Sequence, residues 1–186
     1  MRWVLVLLVG SVLGLAAAVG NAATGPDPAP TVRALGIVTG LGMVWVAAMV
    51  LGGFLVSRAP WSVLAGPLVL LSAAAAYYVW ETVTSDRAAG LGDLGSRTRL
   101  LLLAGVLAAP MLGLLGDVAR TGNLPGTLAR MFVPIGLAAE VLVRDPLHSV
   151  EFSADPTLAW TSTCVLVAGV LGAAIAMISG QTSSSQ

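Results

Sequence analysis

The sequence predicts an all-α fold, a polytopic transmembrane bundle of six helices. Three observations carry this expectation. Of the 186 residues, 57% are hydrophobic and only 10% are charged, against about 25% charged in a soluble domain. Mean hydropathy is +0.93. The apolar residues gather into six runs, each near the length of about 20 residues that spans a bilayer as a helix. The runs are separated by short segments rich in Gly, Pro and polar residues, which is turn chemistry. One domain, 1–180, is expected, with a polar, disordered tail at 181–186.

The first run, 3–21, follows Arg2 and ends near Ala22 and Ala23, in the manner of a secretory signal. Its cleavage site is poor and its apolar stretch is long, so a retained helix is expected. "TGPDPAP" cannot be helical, because Pro lacks an N–H and restricts the residue before it. The second run, 34–57, and the third, 61–83, are joined by the short "SRAP" and form an antiparallel hairpin. The longest polar connection, "TSDRAAGLGDLGSRTR", leads to the fourth run, 99–117. "RTGNLPGT" leads to the fifth, 126–144, and "RDPLHSVEFSADP" to the sixth, 157–179, with Asp155-Pro156 as its start. Pro67, Pro110 and Pro134 fall inside runs three to five, where each frees a carbonyl and can kink its helix.

All nine cationic residues are Arg, and nine acidic residues balance them. Zero net charge gives no electrostatic case for nucleic acid. The expected partners are the lipid bilayer and another membrane protein or a second copy of the chain. The expected location is the cell membrane, multi-pass. With the N-terminus inside, the inner face holds Arg2, Arg58, Arg120 and Arg130, and the outer face Arg33, Arg87, Arg97, Arg99 and Arg144. That count is nearly level; Arg2 and the basic 120–130 loop favour N-inside. The lone Cys164 sits in an apolar run and reads as a small hydrophobe.

Gly10 and Gly14, and Gly36 and Gly40, form two GxxxG pairs, and Ala168 and Gly172 repeat the spacing in the sixth run. Such small residues let helices approach closely in lipid. The face they make serves either packing inside the bundle or a partner helix. "TGPDPAPTVRALGIVTG" and "TGNLPGTLARMFVPIG" also align loosely, as two inverted three-helix halves would.

Polar residues within apolar runs are the candidate sites. Tyr77, Trp80 and Glu81 share one helical stripe. They read either as an interfacial aromatic belt with a solvated carboxylate, or as a ligand or cation site walled by the rings. Glu140 lies about one turn inside the end of the fifth run, with Arg144 at i+4. It reads either as a local ion pair anchoring the helix or as a substrate or proton site. Runs one, three and five should be parallel, which places Glu81 and Glu140 at one face. Asp117 and Arg120 read as a solvated cap at the other.

No H-E-x-x-H, G-x-S-x-G or phosphate-binding loop occurs, and the one histidine, His148, lies in a loop. Asp117-Val118-Ala119-Arg120 resembles part of the CDP-alcohol phosphotransferase motif, without its repeated metal-binding aspartates. No enzyme activity, metal or cofactor is expected.

The stretches "GPLVLLSAAAAYYVWE", "APMLGLLGDVAR" and "PIGLAAEVLV" resemble a family of small actinobacterial integral membrane proteins without an assigned function. In size, helix number and Ala and Gly content, the chain is also similar to the substrate-binding subunits of energy-coupling-factor vitamin transporters, which have no ATPase of their own. The first resemblance carries no function, and the second is one of size and topology; the expected function is a small-solute-binding or transport-related membrane subunit, its site at the face holding Tyr77, Trp80, Glu81, Glu140 and Arg144. The alternative is a membrane scaffold or accessory protein that binds other helices through its Gly-rich faces.

Overall fold

The computed structural model describes residues 1–22, 29–56, 59–84, 96–143 and 156–183, all side chains except those of 22, 59, 96–102, 104 and 178–183 included. Among the described residues there are seven helices and no strand: α1 (Arg2–Ala22), α2 (Pro30–Thr39), α3 (Gly42–Val56), α4 (Ala59–Thr84), α5 (Ser96–Val118), α6 (Leu124–Val143) and α7 (Pro156–Ser183). Four stretches are long and apolar enough to cross a bilayer: Arg2–Asn21, Pro60–Thr84, Leu124–Val143 and Pro156–Met177. α2 and α3 are long and apolar enough only as a pair, bent by 70° at their break, which makes them a fifth span if the pair crosses as one or a re-entrant loop if it does not. α5 carries a shorter apolar stretch, Gly105–Val118. This is the helix set of a multi-pass membrane protein.

The expected count of six helices is therefore corrected. Each apolar run is helical, but the run expected at 34–57 is two helices, parted at Gly40-Leu41. α2 also begins earlier, at Pro30, where the missing N–H and fixed φ of proline suit the first helical position. α7 starts at Pro156, as the Asp-Pro signal indicated, and runs to Ser183. Pro67, Pro110 and Pro134 lie inside α4, α5 and α6 without dividing them. Of the connections expected at 24–30, 57–60, 84–99 and 144–156, residues 24–28, 57–58, 85–95 and 144–155 lie outside the described residues.

The chain forms two compact units: Met1–Ala18 with Ala48–Asp117, and Val19–Ala47 with Val118–Gln186. In the first, glycine is the packing device. A methyl group at Gly10 would overlap the Val69 carbonyl and the Ser72 hydroxyl, and one at Gly14 would overlap the Ala73 carbonyl. Trp3 and Trp61 meet edge to face, ring centres 6.3 Å apart. The three contacts ascend together along α1 and α4, so these helices run parallel, as expected for runs one and three. Methyl groups at Gly53, Gly66, Gly113 and Gly116 would likewise overlap the carbonyls of Gly113, Ala109, Ser62 and Val50. α3, α4 and α5 thus touch backbone to backbone. In lipid the apolar drive between helices is gone, and such close approach supplies the dispersion contact that holds them.

In the second unit α7 packs on α6 and α2. Gly169 would place a methyl 2.8 Å from the Pro134 carbonyl oxygen, and Gly172 sits against the Pro134 ring. At the end of α1, a methyl on Gly20 would stand 2.6 Å from the Cα of Gly36. Between α5 and α6, Arg130 donates from Nε to the Ala119 carbonyl at 2.6 Å and from its terminal nitrogen to the Thr121 carbonyl at 3.0 Å. Asn123 accepts from the Gly126 N–H at 3.0 Å and so caps α6.

Candidate functional site

The break between α2 and α3 lies within "TGLGMVW", residues 39–45. Two glycines flank Leu41 there, and glycine gives the least support to a continuing helix. A break inside an apolar span frees backbone groups that lipid cannot satisfy. The N–H groups here are met. The Gly40 N–H reaches the Gly36 carbonyl at 2.9 Å, the Leu41 N–H reaches Val38 at 3.1 Å, and the Val44 N–H reaches Leu41 at 3.2 Å. The Trp45 indole N–H donates to the Thr39 carbonyl at 2.8 Å, covering the end of α2. Thr39 is buried and turns its hydroxyl back to the Leu35 carbonyl at 2.8 Å.

Two donors remain, the first N–H groups of α3. Leu41, ahead of them, has no side-chain oxygen for a cap. Glu140 of α6 supplies one from 98 residues away: Oε1 accepts from the Gly42 N–H at 2.8 Å and Oε2 from the Met43 N–H at 2.7 Å. A carboxylate gripping two backbone donors at a helix N-terminus combines charge-assisted hydrogen bonds with the positive end of the helix dipole. Gly136, one turn before Glu140, leaves room for the Met43 side chain, which a methyl there would overlap. α3 is thereby docked on α6 by a polar clasp beside an apolar contact. Among the described residues of its unit, Glu140 is the single carboxylate.

Glu140, predicted as a site residue, is thus placed at a helix break that the sequence reading ran through as continuous helix. Its predicted partner Arg144 lies outside the described residues. Gly42, Met43, Trp45 and Thr39 were missed; the signal was the Gly-Leu-Gly triplet inside an apolar run. The other predicted group lies in the first unit. Tyr77 and Glu81 are half-buried near the end of α4, Trp80 is exposed, and Tyr77 and Tyr78 stack edge to face at 5.6 Å. Thr82 and Thr84 turn their hydroxyls back to the Val79 and Trp80 carbonyls, so α4 ends in a self-bonded turn.

The small-residue pairs divide in the same way. Gly10 and Gly14 are filled by α4. Gly36 meets Gly20, whereas Gly40 ends α2. Gly172 meets Pro134, but Ala168 is exposed and its neighbour Gly169 makes the closer approach to α6. Comparison with protein-family models, curated proteins and solved structures finds no match to this chain.

Proposed function

We propose that the protein is a small-solute-binding or transport-related membrane subunit whose working part is the broken α2–α3 span held by Glu140. One observation carries the reading: an ionisable side chain of a spanning helix caps a helix that starts within the membrane span. Charged residues in membrane helices are costly, and they concentrate on solute and proton pathways. Discontinuous helices with half-helix termini turned to polar groups are the way many secondary transporters build such a site. Irregular backbone at membrane depth is kept where it is enclosed by protein or lines a cavity. The Tyr77, Trp80 and Glu81 stripe is a second candidate contact in the other unit, and the reading does not need it. The resemblance in size to energy-coupling-factor subunits adds an ATPase-type partner as an expectation.

The scaffold alternative draws less support. Of the small residues it would use, Gly10, Gly14, Gly36 and Gly172 are taken up by helices of this chain and Gly40 ends α2, which leaves the exposed Ala168.

The test is native mass spectrometry of the full chain, extracted gently from its own membrane. A co-purifying solute, lost from the Glu140→Gln variant, is the expected result. A bare protein, or one accompanied only by another integral membrane protein, would overturn the reading in favour of the scaffold.

A further inference from the structure

We infer that the Glu140 clasp is a proton-operated latch on α3: the ionised carboxylate holds the two halves of the broken span in their 70° arrangement, and protonation releases them. The inference rests on reading α2–α3 as the working part of a transport-related subunit, and it names what moves that part.

The chemistry follows from the bonding. An ionised carboxylate is acceptor-only, and both its oxygens are used, one on the Gly42 N–H and one on the Met43 N–H. Adding a proton turns one oxygen into a hydroxyl donor. That oxygen then faces an N–H with a hydrogen of its own, and the charge that favoured the helix N-terminus is gone. One proton therefore loosens both strong contacts at once. Among the described residues no other side chain replaces them, because the residue ahead of α3 is Leu41 and the Trp45 indole is committed to Thr39 on the far side of the break. The hinge is already present: at Gly40 and Leu41 the helix ladder gives way to turns.

Among the described residues, α3 contributes no titratable group, α2 contributes Arg33, α7 contributes Cys164, and α6 contributes Arg130, engaged with the Ala119 and Thr121 carbonyls, with Arg120 just ahead of it. None of them is a second acid that would share the proton.

The experiment uses the full chain in lipid nanodiscs, labelled with nitrogen-15 on methionine and tryptophan. Five methionine amides, Met1 carrying the N-terminal amine, and five tryptophan indoles make the spectra simple, and Met43→Leu and Trp45→Phe assign the two signals needed. Between about pH 4 and pH 9, a range that covers shifted carboxyls, the Met43 amide and the Trp45 indole should move with one common midpoint. In Glu140→Gln both should stand at their low-pH positions throughout, and Glu140→Asp, which keeps the charge, should restore a titration. A Met43 amide that stays fixed in the wild type overturns the latch. So does an amide that moves while the Trp45 indole stays put, since the cap would then titrate without moving the break. So does an unchanged titration in Glu140→Gln, and if that variant fails to fold, the wild-type and Glu140→Asp titrations decide. The two failures are separable: a bound solute with a fixed Met43 signal sinks the latch alone, and a titrating latch without solute sinks the solute reading alone.

Discussion

At the scale of single residues, Glu140 decides most. Its oxygens hold the Gly42 and Met43 N–H donors, and a donor left unmet away from water costs about 1–3 kcal/mol. Glu140→Ala should lower stability by about 2–4 kcal/mol, read from unfolding in mixed micelles as the SDS fraction rises. Glu140→Gln keeps one acceptor but turns an amide donor towards the other N–H, so its loss should be near half as large. If Ala and Gln cost the same, and less than about 0.5 kcal/mol, the clasp holds nothing. Trp45→Phe leaves the Thr39 carbonyl unmet while keeping an aromatic ring, and should cost about 0.5–1.5 kcal/mol in the same titration. Gly42→Ala is the control. Its methyl would lie 3.5 Å and 3.9 Å from the Glu140 oxygens, ordinary contact, so the clasp should survive it.

At the scale of elements, glycine sets how close the helices come. A methyl at Gly14 meets the carbonyl of Ala73, which is part of the α4 backbone and cannot swing aside. Gly14→Ala should therefore push α1 from α4 and cost about 1–3 kcal/mol. Ala168→Leu, on an exposed face of α7, should stay within about 0.5 kcal/mol of the parent. Equal losses at the two sites would refute the packing described. The Gly10 and Gly14 contact was legible in the sequence, because a spacing of four puts both on one helical face. The Gly53, Gly66, Gly113 and Gly116 contacts were not picked out, since the pairing that matters there is between helices, and periodicity speaks only of one helix at a time. Gly105, Ala109 and Gly113 do repeat the spacing along α5, and that signal went unused. The break at Gly40 was hidden for a different reason: the apolar run continues through it, and hydropathy does not register where a hydrogen-bond ladder stops. Glu140 was legible as an ionisable group out of place, but its partners were not, because a cap supplied from 98 residues away has no local signature.

At the scale of the whole molecule, the parallel run of α1 and α4 fixes how α2 and α3 cross. Trp3 and Trp61 pair at the N-terminal ends of both helices, so α4 enters the membrane at the face where α1 entered. α1 delivers the chain to the opposite face. With both helices crossing, the segment between them must carry it back once, which predicts that α2–α3 is a single broken span and not a re-entrant loop. A re-entrant loop would return the chain to the face it left, and α4 would then run antiparallel to α1. The difference can be read directly in vesicles of uniform orientation. With Cys164 replaced by Ala, single cysteines Arg2→Cys and Pro60→Cys should react with a membrane-impermeant maleimide from one side, and Asn21→Cys from the other. If Pro60→Cys labels together with Asn21→Cys, the span is re-entrant. The Gly10 and Gly14 contacts with α4 would then have to be abandoned with it, since a parallel pair of helices cannot start on opposite faces.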